Sequence, residues 1–259
     1  MNNIFAIANV VLKEMYRRKD FYVLFFLTAL LTLVMGSVNI FNDDKIVRYL
    51  KEICLLLIWV SSLVIAITTA ARQIPAERES RTIFPLLAKP VSRNQMIVGK
   101  FVGCWLACAL VLVVFYLFFG VISGAREHFW PVVPYLQALF FHWIFLGIVI
   151  ALVLWGSLVF TAVSSNATIC FIIIAGIMLL GGHLNQVAGR MHGFSATVTS
   201  VIYYVIPHLE FYDLRDWIIH DRGIVAWGPW LIAAGYGLIY SAIFLCLACL
   251  AFRRKALTL

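Results

Sequence analysis

Apolar residues occur in this chain as long unbroken runs, neither alternating as in a strand nor confined to one stripe of a helix. Residues 21–40, 53–71, 101–124, 135–163, 167–182 and 227–252 contain no Asp, Glu, Lys or Arg. Crossing about 30 Å of hydrocarbon takes roughly 20 residues at about 1.5 Å per residue, and most of these runs reach that length. The run at 167–182 falls slightly short and is expected to extend into Asn166 or the His183-Leu-Asn stretch. A membrane barrel would alternate apolar and polar positions instead. The pattern predicts an all-α integral membrane fold of six transmembrane helices, one domain over residues 1–259, with no internal repeat.

The segments between the runs carry patterns of their own. Ile4, Ile7, Ala8, Val11, Leu12 and Met15 recur at helical spacing, with Asn2, Asn9, Lys13 and Glu14 off that stripe. Residues 1–20 are therefore expected to form an amphipathic interfacial helix. Its basic end, Arg17-Arg18-Lys19, suits both a helix C-terminus and a lipid surface. Such a helix serves as an anchor, or as a lever joined to the first span, which is long enough to be retained rather than cleaved. Residues 41–52 and 123–134 read as short outer loops. Ser164-Ser-Asn166 reads as a tight inner turn between the fourth and fifth spans. The large outer segment, 183–226, holds an apolar stretch at 194–206 that Pro207 stops short of a full crossing. It is expected to be a re-entrant or interfacial helix, followed by a second short helix over 210–220. Trp217, Trp227 and Trp230 are expected at headgroup level.

Composition agrees with this class. The chain is 63% hydrophobic and 12% charged, and its mean hydropathy of +0.97 exceeds what a soluble core could hide. The formal net charge of +8 is unevenly distributed. With an even number of spans, Lys13, Arg17, Arg18, Lys19, Arg72, Arg78, Arg81, Lys89, Arg93, Lys100, Arg253, Arg254 and Lys255 all share one side with both ends of the chain. Only Glu14, Asp20, Glu77 and Glu79 oppose them there, so that side is cytoplasmic. The basic balance thus concerns topology and anionic headgroups rather than nucleic acid. Cys54, Cys104, Cys108, Cys170, Cys246 and Cys249 all fall inside the runs, where cysteine packs as a small apolar residue.

Little in the chain suits catalysis. Gly99-Lys100 lacks the upstream glycine of a phosphate-binding loop and is followed by Phe101, so no nucleotide site of that kind can form. No zinc-protease helix or Gly-x-Ser-x-Gly elbow occurs, and Asn166-Ala-Thr168 lies on the wrong side to be glycosylated. His142 is the one ionisable side chain inside a run, readable as a hydrogen-bonded interior residue or as a substrate or proton site. His128, His183, His192, His208 and His220, with Glu210, Asp213, Asp216 and Asp221, match no metal-ligand spacing. No cofactor is expected in this chain.

The cytoplasmic segment 72–100 is the exception. Its Pro-punctuated, basic composition fits a solvated loop equally well as a short helix over 72–82 that presents Glu77, Arg78, Glu79 and Arg81 to a soluble partner. Pro75 is tolerated in the first turn of such a helix, and Ser92 offers an N-cap for a helix running from Arg93 into the third span.

Glu77-Arg-Glu-Ser-Arg-Thr-Ile-Phe-Pro-Leu-Leu-Ala-Lys-Pro-Val-Ser-Arg93, followed by Val98-Gly-Lys-Phe-Val-Gly103, closely resembles the cytoplasmic loop of ABC-2-type transporter permeases. Those grouped with multicopper-enzyme and nitrous-oxide-reductase maturation are the nearest in pattern. Ile206-Pro-His-Leu-Glu-Phe-Tyr-Asp-Leu-Arg-Asp216 is similar to the outer segment of the same family, in which Pro207, Glu210, Asp213, Arg215 and Asp216 match. The resemblance implies a permease of the bacterial cytoplasmic (inner) membrane, paired as a homodimer or heterodimer. It also implies two copies of a separate ATPase subunit that holds ATP and Mg, driving export or transmitting force to an outer accessory protein. The coupling helix would involve Arg72, Glu77, Arg78, Glu79, Arg81 and Thr82, with Lys89 and Arg93 following. The family often has Gly before that Thr, where this chain has Arg81. Two other classes stay open at this point: a membrane scaffold that recruits a cytosolic protein, and a membrane hydrolase or transferase using the outer acidic and histidine residues.

Overall fold

The computed structural model describes residues 3–17, 19–37, 44–79, 92–188 and 194–254, and all regular structure among them is helical. In chain order the helices are α1 (Asn3–Tyr16), α2 (Lys19–Ser37), α3 (Asp44–Arg72), α4 (Pro75–Glu79), α5 (Arg93–Glu127), α6 (Val132–Val159), α7 (Val163–Ala188), α8 (Phe194–Val205), α9 (Arg215–Ile219) and α10 (Trp227–Arg254), with a 3₁₀ turn at Leu209–Tyr212. Four stretches of the described residues are long and apolar enough to cross a membrane: Arg48–Glu77, α5, α6 and α10. The described part of the first apolar run, 21–37, lies in α2, and the fifth run lies in α7.

The bundle is built around α6. Every residue from Ile144 to Leu154 is buried, as expected of a helix that is apolar all round. α3, α5, α7 and α10 surround it. Against α10 the contact uses small residues, with Ala234, Gly237 and Ser241 buried, which lets two backbones approach where lipid supplies no hydrophobic drive. Against α5, Trp105 and Trp143 stack with ring centroids 4.2 Å apart. Each indole N–H donates to the other's backbone carbonyl at 2.9 Å, so two donors that lipid could not satisfy satisfy each other.

Connections differ in detail from the expectation. The inner turn between α6 and α7 falls at 160–162, and Ser164-Ser-Asn166 already belongs to the first turn of α7. Asn166 explains the shift: it is fully buried, its Nδ2 donates to Val153 O at 3.1 Å, and its Oδ1 accepts from Cys170 Sγ at 3.3 Å. Much of the two short outer loops is likewise helical, since α3 begins at Asp44 and α5 continues to Glu127 before His128 turns left-handed at φ 54°. In the outer segment, α8 occupies the expected 194–206 stretch and stops before Pro207. The helix expected over 210–220 is split into the 3₁₀ turn and α9.

The N-terminal helix forms, but its apolar stripe faces protein rather than lipid alone. α1 packs along α5, burying Ala8, Val11 and Met15. The helix it meets is firmly started: Ser92 Oγ accepts from Gln95 N at 3.2 Å, and Ser92 N donates to Gln95 Oε1 at 3.0 Å, a capping box. Two glycines one turn apart, Gly99 and Gly103, make room for α1. A Cβ on Gly99 would lie 2.9 Å from Ile7 Cβ, and one on Gly103 2.7 Å from Val11 Cβ. Apolar residues missing from a lipid-facing stripe matter little, whereas a small-residue seat for a helix tolerates no bulk. Gly103→Leu is therefore expected to destabilise the protein by about 1–3 kcal/mol and to release α1. Limited proteolysis in detergent should then cut within residues 3–17, while Leu106→Ala, at an exposed position of α5, leaves the digestion pattern unchanged.

Candidate functional site

At the end of the bundle that the basic residues lead one to expect at the cytoplasm, called inner for brevity and the opposite end outer, α3 finishes at Arg72, a two-residue turn follows, and Pro75 opens α4. Proline suits that first helical position because its missing N–H would have no partner there anyway. The short helix does not stand out freely. Glu77 turns inward and accepts from Lys100 Nζ at 2.6 Å, and Gln73 Oε1 accepts from the same ammonium at 3.2 Å. Lys100 is only 3% exposed and Glu77 24%. The Gly99-Lys100 pair thus has a structural use: the glycine seats α1 and the lysine holds α4. Arg72 is exposed beside this platform. Arg78 and Glu79 lie in α4, with side chains outside the described set, and Arg81, Thr82 and Lys89 lie outside the described residues altogether. Arg93 bridges to the far end of the chain, donating to Phe252 O at 3.0 Å and to Arg253 O at 3.4 Å while lying 5.6 Å above the Phe252 ring. It satisfies terminal carbonyls of α10 where a cation also suits the helix dipole.

The outer end repeats the device with the charges reversed. Lys51, on α3, has no exposed side-chain surface and pairs with Glu127 at 2.7 Å and with Asp221 at 3.0 Å. Glu127 closes α5, and its Oε2 also accepts from Ser123 Oγ at 3.4 Å. Gln137 on α6 exchanges two bonds with the backbone of Val225, at 2.9 and 3.0 Å, which fixes the approach to α10. Lys51 was legible as a charge but not as a site. Its signal is that it continues the buried stripe of Leu55, Ile58 and Ser62 along α3.

Between the ends, the outer segment reaches the interior. Asp213 holds Arg215 in a two-pronged pair, Nε to Oδ1 at 2.8 Å and Nη2 to Oδ2 at 2.6 Å. That hydrogen bond raises the Arg215 pKa further above its ordinary value. The guanidinium lies 5.2 Å from the Trp59 ring, and Trp59 stacks on His142 with centroids 4.4 Å apart. His142 is fully buried; its Nε2 is 2.8 Å from Ser62 Oγ and its Nδ1 3.4 Å from Tyr116 OH. It is a hydrogen-bonded interior histidine joining α3, α5 and α6. Pro207 is buried. His208 lies against the Tyr203 and Phe211 rings, with Glu210 Oε1 3.9 Å from its Nδ1, and Asp216 pairs with His220 and Arg222 at the surface. The outer acids and histidines are thus divided among separate partners. Among the described residues they form no group of three that could hold a metal. All six cysteines carry free thiols. The arrangement these described residues make is one of clamps between helices.

The inner clamp has a measurable strength. Removing Lys100 leaves a carboxylate half-buried without its cation, a change that costs about 3–5 kcal/mol for a buried pair. Lys100→Met alone should therefore destabilise strongly, Glu77→Gln less, and the double variant less than the sum of the two. Denaturant unfolding in detergent should give a coupling of about 1–3 kcal/mol; additive single effects would mean that α4 is held by other contacts.

Among its described residues the same chain carries four helical stretches suited to a membrane, no group of three that could hold a metal, and a charged platform around Lys100. The profile of the ABC-2 family transporter proteins matches residues 6–257, nearly the whole length. Among individually curated proteins none is significantly similar. Spanning almost every residue from α1 to the end of α10, the match establishes that this multi-pass membrane protein belongs to the ABC-2 family of transporter proteins, as a permease.

Proposed function

We propose that the chain is the membrane subunit of an ABC transporter that converts ATP hydrolysis in a separate ATPase subunit into export, or into force on an outer accessory protein. In this reading α2 and α7 complete six spans, both ends of the chain face the cytoplasm, and the protein resides in the bacterial inner membrane. Two copies, or this chain and a similar permease, pair and engage two ATPase subunits that carry ATP and Mg. The resemblance to permeases of multicopper-enzyme and nitrous-oxide-reductase maturation suggests the kind of outer partner.

The observation that carries the proposal is the Glu77–Lys100 clamp. A coupling element has to be rigidly joined to a span, because a loop that yields would dissipate the movement of the ATPase. α4 is tied to α5 through a nearly buried ammonium, and α5 seats α1 on Gly99, one residue before that lysine, and on Gly103, three residues after it. Arg72 and Ala76 remain exposed on that platform and, with Arg78, Glu79, Arg81, Thr82 and Lys89, would form the surface offered to the ATPase. Arg93 acts from behind by holding α10.

Arg72→Glu combined with Ala76→Arg should reduce co-purification of the cognate ATPase by roughly tenfold or more, as for loss of an interface hot spot, with the permease still inserted. Undiminished co-purification would remove α4 from the contact. ATPase that stays bound but shows no permease-dependent change in turnover would favour a scaffold instead. Topology is checked separately, in a background without native cysteines. Arg222→Cys should react with an impermeant thiol reagent from outside, and Arg254→Cys only after permeabilisation. The reverse pattern would invert the proposed orientation.

A further inference from the structure

A groove of about 700 Å³ runs between α1 and α5, outside the clamps described above. Its floor is apolar, formed by Leu12 and Met15 of α1 with Leu110, Val111 and Val114 of α5. Its rim carries two cations, Lys13 and Arg17, one helical turn apart and both exposed. Among the described residues no carboxylate lines the groove, and neither cation is ion-paired. Above the groove the apolar surface continues: Leu110, Val114, Leu117 and Val121 follow one another at helical spacing on α5, exposed by 60%, 40%, 64% and 56%.

We propose that this groove is a binding site for one anionic phospholipid, its phosphate on Lys13 and Arg17 and an acyl chain lying along Leu110, Val114, Leu117 and Val121. The combination selects the occupant. A soluble anion has no use for an apolar floor that opens onto a lipid-facing stripe. An apolar helix from a partner would leave one ammonium and one guanidinium group facing hydrocarbon. A zwitterionic headgroup would bring its own cation against the rim. The depth is consistent, since Arg17 stands two residues before α2, whose apolar run starts at the headgroup level of the inner leaflet under the orientation proposed above. Because α1 is seated on Gly99 and Gly103 beside the Lys100 clamp, a lipid filling this groove also braces the inner platform. Lipid composition would in that way bear on how firmly the coupling helix is held.

Two cations near an anionic surface are worth about 1 kcal/mol each, which is a preference of roughly 30-fold for an anionic over a zwitterionic lipid. The full-length permease, purified in mild detergent and supplied with equal phosphatidylglycerol and phosphatidylcholine, should retain the former by about that ratio in native mass spectrometry. Lys13→Gln with Arg17→Gln should abolish the preference. Arg48→Gln with Arg222→Gln, which removes the same charge from exposed outer positions, should leave it intact. Leu110→Trp with Val114→Trp, which fills the groove and keeps both cations, should lose the retained lipid altogether. Equal retention of both lipids, or retention unchanged by the tryptophans, would overturn the site. So would disulfide cross-linking between two copies through Leu110→Cys, which would show that a second chain covers the groove. None of these readouts depends on the ATPase or on which side is cytoplasmic, so the lipid site and the transport reading fail separately.

Discussion

Hydrocarbon offers no partner to a polar group, and the buried lysines, amides and indoles described above find theirs inside the bundle, in other side chains or in backbone carbonyls. Lys51 and Lys100 illustrate the rule most strongly. Both ammonium groups are almost completely covered, and each sits within 3.2 Å of its acceptors. Neutral groups obey it too: Asn166 turns back onto α6, Gln137 binds the backbone before α10, and Trp105 and Trp143 satisfy each other. Without these pairings the helices would still partition into lipid, and only close approach at small residues would specify how they pack.

The two lysines are placed so that α3 and α5 are clamped at both ends. At the outer end the lysine belongs to α3 and the carboxylate to α5; at the inner end the lysine belongs to α5 and the carboxylate to α4, just beyond α3. Midway, His142 of α6 bonds to Ser62 of α3 and lies within reach of Tyr116 of α5. A pair of helices tied at top, middle and bottom moves as a unit. Under the function proposed above, a push on α4 would reach Asp221 and Arg215 through these ties.

Sequence and structure agree best where one physical rule dominates. The helix start at Ser92 needed only local chemistry: the expected N-cap is present, and Gln95, three residues on, completes it as a capping box. Arg93 was legible as a basic residue at the membrane exit, yet its role in holding the end of α10 lies 159 residues away in the chain. Likewise, the outer Asp213 and Arg215 were recognisable as a motif, while the route from Arg215 through Trp59 to His142 required three separate helices to converge.

The amino-acid sequence alone determined that this is a helical membrane protein, where its apolar runs lie, which side is basic and which family it resembles. Those properties depend on transfer of each segment from water to lipid, a sum over consecutive residues that needs no knowledge of neighbours. Only the tertiary structure decided that the stripe of α1 is buried on α5, that Glu77 turns inward to Lys100, and that Lys51 is buried at the outer end rather than solvated in a loop. Within lipid, apolar faces are nearly equivalent, so the faces that meet are chosen by close approach at small residues and by pairing of the few charges. Both are properties of two helices at once, and no single stretch of sequence carries them.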